Sequence, residues 1–324
     1  MKIQFIWGPG GVGKSHLSIL QAYQSTYAST ALFTLDPSRR LFDLLQISRE
    51  KTRVDVKLKN KKFFLCGLEA TQLFEELSQK SIANAKVRIF YEQMVKGLQE
   101  FREYLSLIQL SDEINKSTYE RLVIDTPPLQ EAFGLQRAMN NLQSFFSQSL
   151  IQFALKGQQA KILHSTMKHA FELSRVFIGK KSAERVFEFL EWLGTHADRF
   201  QKAADQLTKL SYSEETEHLF VLSPETAFVR LEDIQKLSKP FKNISFVINR
   251  SVFDEKIPDE NDSFCNEMRE FKNLESKLIQ DLKRLFPKSE ISRLPYQLMG
   301  DDTEEELIRF SESRMTKVDV PKST

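Results

Sequence analysis

Four glycines, Gly8, Gly10, Gly11 and Gly13, fall within six residues of a 324-residue chain that has only 11 glycines in all. Ordinary usage of about 7% would supply roughly 23, so a glycine-poor chain has gathered them where backbone must approach something closely. Together with their neighbours they spell Gly8-Pro9-Gly10-Gly11-Val12-Gly13-Lys14-Ser15, which fits G-x-x-x-x-G-K-[ST] at every fixed position. The flanks suit the motif, since KIQFIW (2–7) reads as a short buried strand and SHLSILQAYQSTY (15–27) as a helix. In such a strand–loop–helix setting the loop N–H groups turn inward on phosphate oxygens, and the helix adds its positive end. Lys14 is then expected to bridge the β- and γ-phosphates of a nucleotide, and the Ser15 hydroxyl to hold Mg²⁺. His16 closes the candidate nucleotide-binding run.

Further short apolar runs separated by helical stretches predict a mostly parallel sheet with crossover helices. They are TALFTL (30–35), KFFLC (62–66), RLVID (121–125), HLFVL (218–222) and ISFVI (244–248). Four strand ends carry polar or special residues: Gly8, Asp36, Asp125 and Asn249. Ligands bind beyond the carboxyl ends of parallel strands, so these four are expected to converge. Asp125, ahead of Thr126-Pro127-Pro128, suits a water of the Mg²⁺ shell, although a strand-end Asp also serves as a helix cap or turn residue. Asp36 opens Asp36-Pro37-Ser38-Arg39-Arg40, where it can either start a turn or position and deprotonate an attacking water. The amide of Asn249 offers both donor and acceptor to an adenine edge, and is also an ordinary turn residue.

No proline occurs between Pro128 and Pro224, so a long segment lacks the usual helix breaker. Within it Val186, Leu190, Leu193, Ala197, Phe200, Ala204 and Leu207 recur at spacings of four and three, a heptad seam. These observations divide the chain into a nucleotide-binding core over 1–128, a helical insert over 129–212, a second part of the core over 213–310 and a polar, frayed tail over 311–324. The fold class is therefore α/β, a P-loop NTPase with an inserted helical subdomain. The insert is rich in Phe and Met; a packing seam between its own helices or subunits comes first, and a groove for hydrophobic helices second. Net charge of +2 gives no reason to expect a nucleic-acid partner. Two distant cysteines, Cys66 and Cys265, argue against a disulfide framework or a cysteine zinc site. The histidines form no metal-binding pattern, His164 and His169 being five residues apart. No membrane-spanning run is visible and the N-terminus leaves no room for a signal peptide, so a cytoplasmic protein is expected.

GGVGKS after a first strand, LDPSRRLFDLL after a second, then VIDTPP, SPET and VINR together resemble the ArsA-like ATPases. The middle segment FIGKKSAERVFEFLEWLGTHADRFQKAADQL looks like their bacterial anion-transporting branch, and the resemblance covers 1–310. It implies ATP sandwiched near a dimer interface, with Gly10 to Ser15 on phosphates and Mg²⁺. Asp36 would orient the hydrolytic water, Asp125 would sense Mg²⁺ and the γ-phosphate, and Asn249 would read adenine. Glu225 in SPET would touch nucleotide across the dimer, and the insert would bind a hydrophobic or membrane-protein client.

Three departures sharpen the resemblance. Pro9 stands where the family has a signature lysine that reaches the partner's phosphates, so Arg39 or Arg40 compensates, a partner supplies the cation, or hydrolysis is slow. The family's arsenite- and zinc-binding cysteines are missing. Switch II reads DTPPLQE rather than the DTAPTGH of the tail-anchor branch. The leading expectation is an ATPase that dimerises around ATP and Mg²⁺ and switches its helical subdomain. The alternative is a weakly hydrolytic subunit paired with a paralogous ATPase. A MinD- or ParA-like positioning ATPase fits less well, because the tail VDVPKST has no amphipathic membrane helix.

Overall fold

The computed structural model describes residues 1–36, 38, 40–48, 53–67, 99–116, 118–134, 136, 198–225, 231–252, 257, 263–296 and 304–318. Nine strands form one sheet: β1 (Lys2–Trp7), β2 (Thr30–Thr34), β3 (Arg53–Leu58), β4 (Lys61–Gly67), β5 (Arg121–Asp125), β6 (Thr216–Leu222), β7 (Asn243–Ser251), β8 (Glu290–Pro295) and β9 (Thr316–Lys317). Their spatial order is β3-β4-β2-β5-β1-β6-β7-β8-β9. The pairs from β4 through β8 are parallel, while β3 and β9 add antiparallel edges. The mostly parallel sheet expected from the apolar runs is therefore present.

Side chains alternate across this sheet, and both faces are covered. On one face Ile6, Leu219, Val221 and Val247 join a buried cluster with residues of three helices. These are α1 (Lys14–Tyr23), α2 (Arg40–Leu44) and α6 (Glu304–Ser311). On the other face Phe5, Trp7, His218, Phe220 and Phe246 form an aromatic layer with Phe241, which follows α4 (Leu231–Ser238), and Phe286. Five of the 26 phenylalanines of the chain lie in this layer. His218 lies parallel to the Phe241 ring, centroids 3.7 Å apart. Its Nδ1 accepts from Trp7 Nε1 at 3.0 Å and its Nε2 meets the Ser211 carbonyl at 2.7 Å. Burial pushes its pKa down to about 4, so it is neutral at physiological pH.

Three differences from the sequence reading have physical causes. Helix α1 stops at Tyr23 rather than 27; Ser25 Oγ beyond it accepts from the Tyr27 N–H and from Thr30 Oγ1, which competes with helical bonding. Strand β3, RVDVKL, went unread because it is an edge strand whose outward positions are charged. A tight turn links it to β4, with Lys59 in the left-handed region at φ 49°. The stretch expected to fray from Ser311 is instead tied down as far as Val318. Gln24 Nε2 donates to the carbonyls of Ser311 and Ser313 at 3.1 and 2.7 Å. Glu312 pairs with Lys59 at 2.5 Å, and β9 then lies against β8.

The chain divides into two compact units, 1–68 with 117–133 and 210–324, and 69–116 with 134–209. The first holds the whole sheet. In the second, α3 (Gln99–Lys116) pairs with residues 198–209 through Arg199–Asp112 at 2.6 Å and Ser111–Gln206 at 2.6 Å. Phe200, Ala204 and Leu207 of the heptad seam are buried there. Val186, Leu190, Leu193 and Ala197 lie outside the described residues, as do His164 and His169. Among the described residues no helix is long and apolar enough to cross a membrane.

Candidate functional site

The chain leaves β1 at Trp7 and enters α1 at Lys14, so the loop 8–13 sits at the carboxyl end of a central strand. Gly8 has φ 151°, and a Cβ there would collide with the Val221 carbonyl oxygen. Gly13, at φ 88°, caps α1 in the left-handed region, and a Cβ would collide with the Asn249 amide nitrogen. Both positions demand glycine. At Gly10 and Gly11 a Cβ would meet nothing within 4 Å, so the Cβ side of the loop there is open for a ligand.

Lys14 and Ser15 begin the helix that follows. Lys14 is buried and its Nζ donates to the Pro9 carbonyl at 2.7 Å. Burial lowers its pKa, against the attraction of the Asp125 and Asp36 carboxylates. Ser15 Oγ donates to Asp125 Oδ2 at 3.0 Å. One helical turn on, Ser18 Oγ reaches Asp125 Oδ1 at 3.2 Å while bonding the Lys14 carbonyl at 2.9 Å. Asp125 is fully buried, and burial pushes its carboxyl up to about 7, with Lys14 and the two hydroxyls pulling the other way. A cation delivered there would favour the ionised form.

The remaining strand ends are drawn in by the sheet register. Asp125 pairs with Ile6 of β1 on one side and Thr34 of β2 on the other. The Leu35 N–H donates to the Asp125 carbonyl at 2.8 Å, and that of Leu129 to the Gly8 carbonyl at 3.0 Å. Thr126 Oγ1 donates to the Ile6 carbonyl at 2.7 Å. Asp36 Oδ1 accepts the Ser38 N–H at 2.8 Å, the turn its sequence suggests, and its charge is felt at both Lys14 and Asp125. Asn249 Nδ2 donates to the Val12 carbonyl at 2.8 Å. Glu225 joins at the outer rim through Arg250, at 2.8 Å. The ring of His16 meets Phe310 edge-on, so the backbone N–H is what His16 can offer a phosphate. Arg40 is close enough to bias Lys14, whereas Arg39 lies outside the described residues. Ser18 and Arg250 went unread in the sequence; the i, i+3 spacing of Ser15 and Ser18 is the signal for the first.

The donor set suits a hard divalent cation that shares its ligands with phosphate and water. Two hydroxyls, those of Ser15 and Ser18, converge on one carboxylate, and among the described residues no cluster of three or more His, Cys, Asp or Glu side chains exists. Mg²⁺ binds in this way, through few protein oxygens.

Comparison with known proteins gives the family. The family model described as anion-transporting ATPase matches residues 1–313. The chain is also 23% identical over 308 residues to the protein named "Putative arsenical pump-driving ATPase 2" from Aquifex aeolicus (strain VF5), covering 92% of this chain and 93% of that one. With a phosphate loop at the centre of a mostly parallel sheet and a family match over nearly its whole length, the chain belongs to the ArsA-type, anion-transporting ATPase family, a membership that implies ATP binding and hydrolysis.

Proposed function

We propose that this protein binds Mg-ATP at a dimer interface and that hydrolysis switches a helical subdomain which binds a client or partner. The observation that carries the reading is the Ser15–Asp125 contact at 3.0 Å beside the buried Lys14, made between the helix that follows β1 and the end of its parallel neighbour β5. Loop N–H groups from Gly10 to His16 and the Lys14 ammonium hold the phosphates. Lys14 exchanges the Pro9 carbonyl for phosphate oxygen. The Ser15 hydroxyl and, through water, Asp125 would hold Mg²⁺, whose charge would offset that of the phosphates. Asp36 orients the water and takes its proton as the water oxygen attacks the γ-phosphorus and the bond to ADP breaks. Asn249, steadied on Val12, accepts from the adenine amine through Oδ1, and Glu225 reaches nucleotide across the dimer.

Arsenite binding is no part of this reading, because both cysteines are buried and lie on β4 and on α5 (Ser263–Leu285). The alternative, a weakly hydrolytic subunit completed by a paralogous ATPase, is favoured by Pro9, which puts no charge where the family has its lysine. ATP turnover and binding of a fluorescent ADP analogue test the reading. Lys14→Ala is expected to abolish binding, and Asp36→Asn to abolish turnover while binding survives. Intact turnover in Asp36→Asn would remove Asp36 from the chemistry. Robust turnover by the chain alone excludes the alternative; turnover that appears only with the paralogue supports it.

A further inference from the structure

Across its carboxyl end β7 carries one residue more than β8. Ile248 pairs with Arg293 and Ser251 with Pro295, so Asn249 and Arg250 together span the place of Leu294. Arg250 takes the left-handed conformation, φ 59°. In a regular strand two successive side chains would point to opposite faces, but this bulge turns both onto the phosphate loop. Asn249 Nδ2 holds the Val12 carbonyl at 2.8 Å, and Arg250 Nη2 holds the neighbouring Gly11 carbonyl at 3.3 Å. Consecutive residues thus grip consecutive loop carbonyls.

A left-handed arginine persists only where its surroundings enforce it. The residues flanking it are fixed by Glu275 of α5, fully buried, which accepts from Ser251 Oγ at 2.7 Å, the Val252 N–H at 3.1 Å and Arg293 Nε at 3.0 Å. On the outer side Glu225 accepts from Arg250 Nη1 at 2.8 Å. The Arg250 side chain is 38% exposed, and a guanidinium has five N–H donors, of which these contacts occupy two. The loop itself lacks a cation at Pro9.

We propose that Arg250 is a nucleotide-positioning residue: it fixes the Gly11 segment of the phosphate loop from the β7 side and brings a positive charge to the nucleotide held there, with Glu225 setting its orientation. The inference rests on the nucleotide-binding reading of the loop. It is tested by binding of a fluorescent ADP analogue with Mg²⁺ and by steady-state ATP turnover. Arg250→Ala should raise Kd and KM about tenfold, the scale of one charge-assisted hydrogen bond. Turnover number should stay within about twofold and the melting temperature should be unchanged, a split that a merely structural role would not give. Arg250→Lys should recover part of the affinity as a point charge without the fork. Glu225→Gln should weaken binding less, and the pair of changes should be less than additive, because Glu225 orients the arginine besides making any contact of its own across a dimer. Wild-type affinity in Arg250→Ala, with the wild-type chain binding and Lys14→Ala not, overturns the inference and leaves the nucleotide reading standing. No binding by the wild-type chain overturns both. Should Arg250→Ala fail to fold, Arg250→Lys and Glu225→Gln decide, and wild-type affinity in both overturns the proposal.

Discussion

Ser18 stands one helical turn beyond Ser15, and both hydroxyls reach one buried carboxylate. Asp125 faces opposed demands: burial favours its neutral form, while a role beside Mg²⁺ needs the ionised one. Each hydroxyl bond favours the ionised form. Ser18 has a single O–H shared between Asp125 and the Lys14 carbonyl, so its contribution is the weaker of the two. Ser18→Ala should therefore cost about 1 kcal/mol of stability. It should also raise the Mg²⁺ concentration for half-maximal turnover about threefold to tenfold, with maximal turnover at saturating Mg²⁺ little changed. A Mg²⁺ titration of ATPase activity decides this, and an unshifted midpoint would detach Ser18 from the site. At this scale Lys14, Ser15 and Asp125 were legible, because a motif fixes the first two and a strand end the third. Arg250 was not, since its direction depends on an extra residue in β7 that only pairing with β8 reveals.

The elements show the same division between what local pattern determines and what pairing determines. β1 and β5 begin and end where their apolar runs do, because both are central and buried on two faces. β3, β8 and β9 mix charge, proline or only two residues with their apolar positions, and they become strands only against a neighbour. The tail from Ser311 looked polar for a related reason: its polar groups bond to α1, β4's turn and β8 rather than to water alone. The aromatic layer between β1 and β6 supplies a titration test. The folded His218 has its pKa lowered to about 4 from an unfolded 6.5. Such a group contributes fully above the unfolded value, and the contribution is lost as pH falls toward the folded one. Asp125, raised to about 7, drives stability the opposite way over the same range, so the wild-type curve alone mixes the two. The difference between wild type and His218→Gln isolates the histidine. The variant should be less stable at pH 7, and its deficit should shrink by up to about 3 kcal/mol by pH 4. Urea midpoints measured across that range give the answer, and a pH-independent deficit would show that His218 is not held neutral by burial.

At the scale of the whole molecule, Pro9 sets the question of whether one chain suffices. The phosphate loop has its cradle, its lysine and the Ser15–Asp125 pair, yet under the dimer reading a charge expected from a second copy is missing at that position. Arg40 biases Lys14 electrostatically, and Arg250 touches the loop from within the same chain. Neither has been carried across a dimer. A cation delivered in trans to transferring phosphate accelerates hydrolysis about 10³- to 10⁵-fold in other phosphate-loop enzymes, so even a poorly placed one should be visible. Pro9→Lys removes no loop acceptor, because the Pro9 carbonyl that receives Lys14 is backbone and survives the change. It does free the backbone there, which loosens the loop slightly. If the reading of a dimer around Mg-ATP is right, the variant should raise turnover about tenfold or more, with a rate per chain that climbs with protein concentration. Nucleotide affinity should change little, since the new charge acts on the partner's phosphates as the bond breaks. A rise in turnover independent of protein concentration would instead place the lysine on its own phosphates. No rise at all would mean that a cation already present, such as Arg40, performs the task or that the chain does not pair with itself. Measuring turnover over a range of chain concentrations, for both proteins, separates these outcomes.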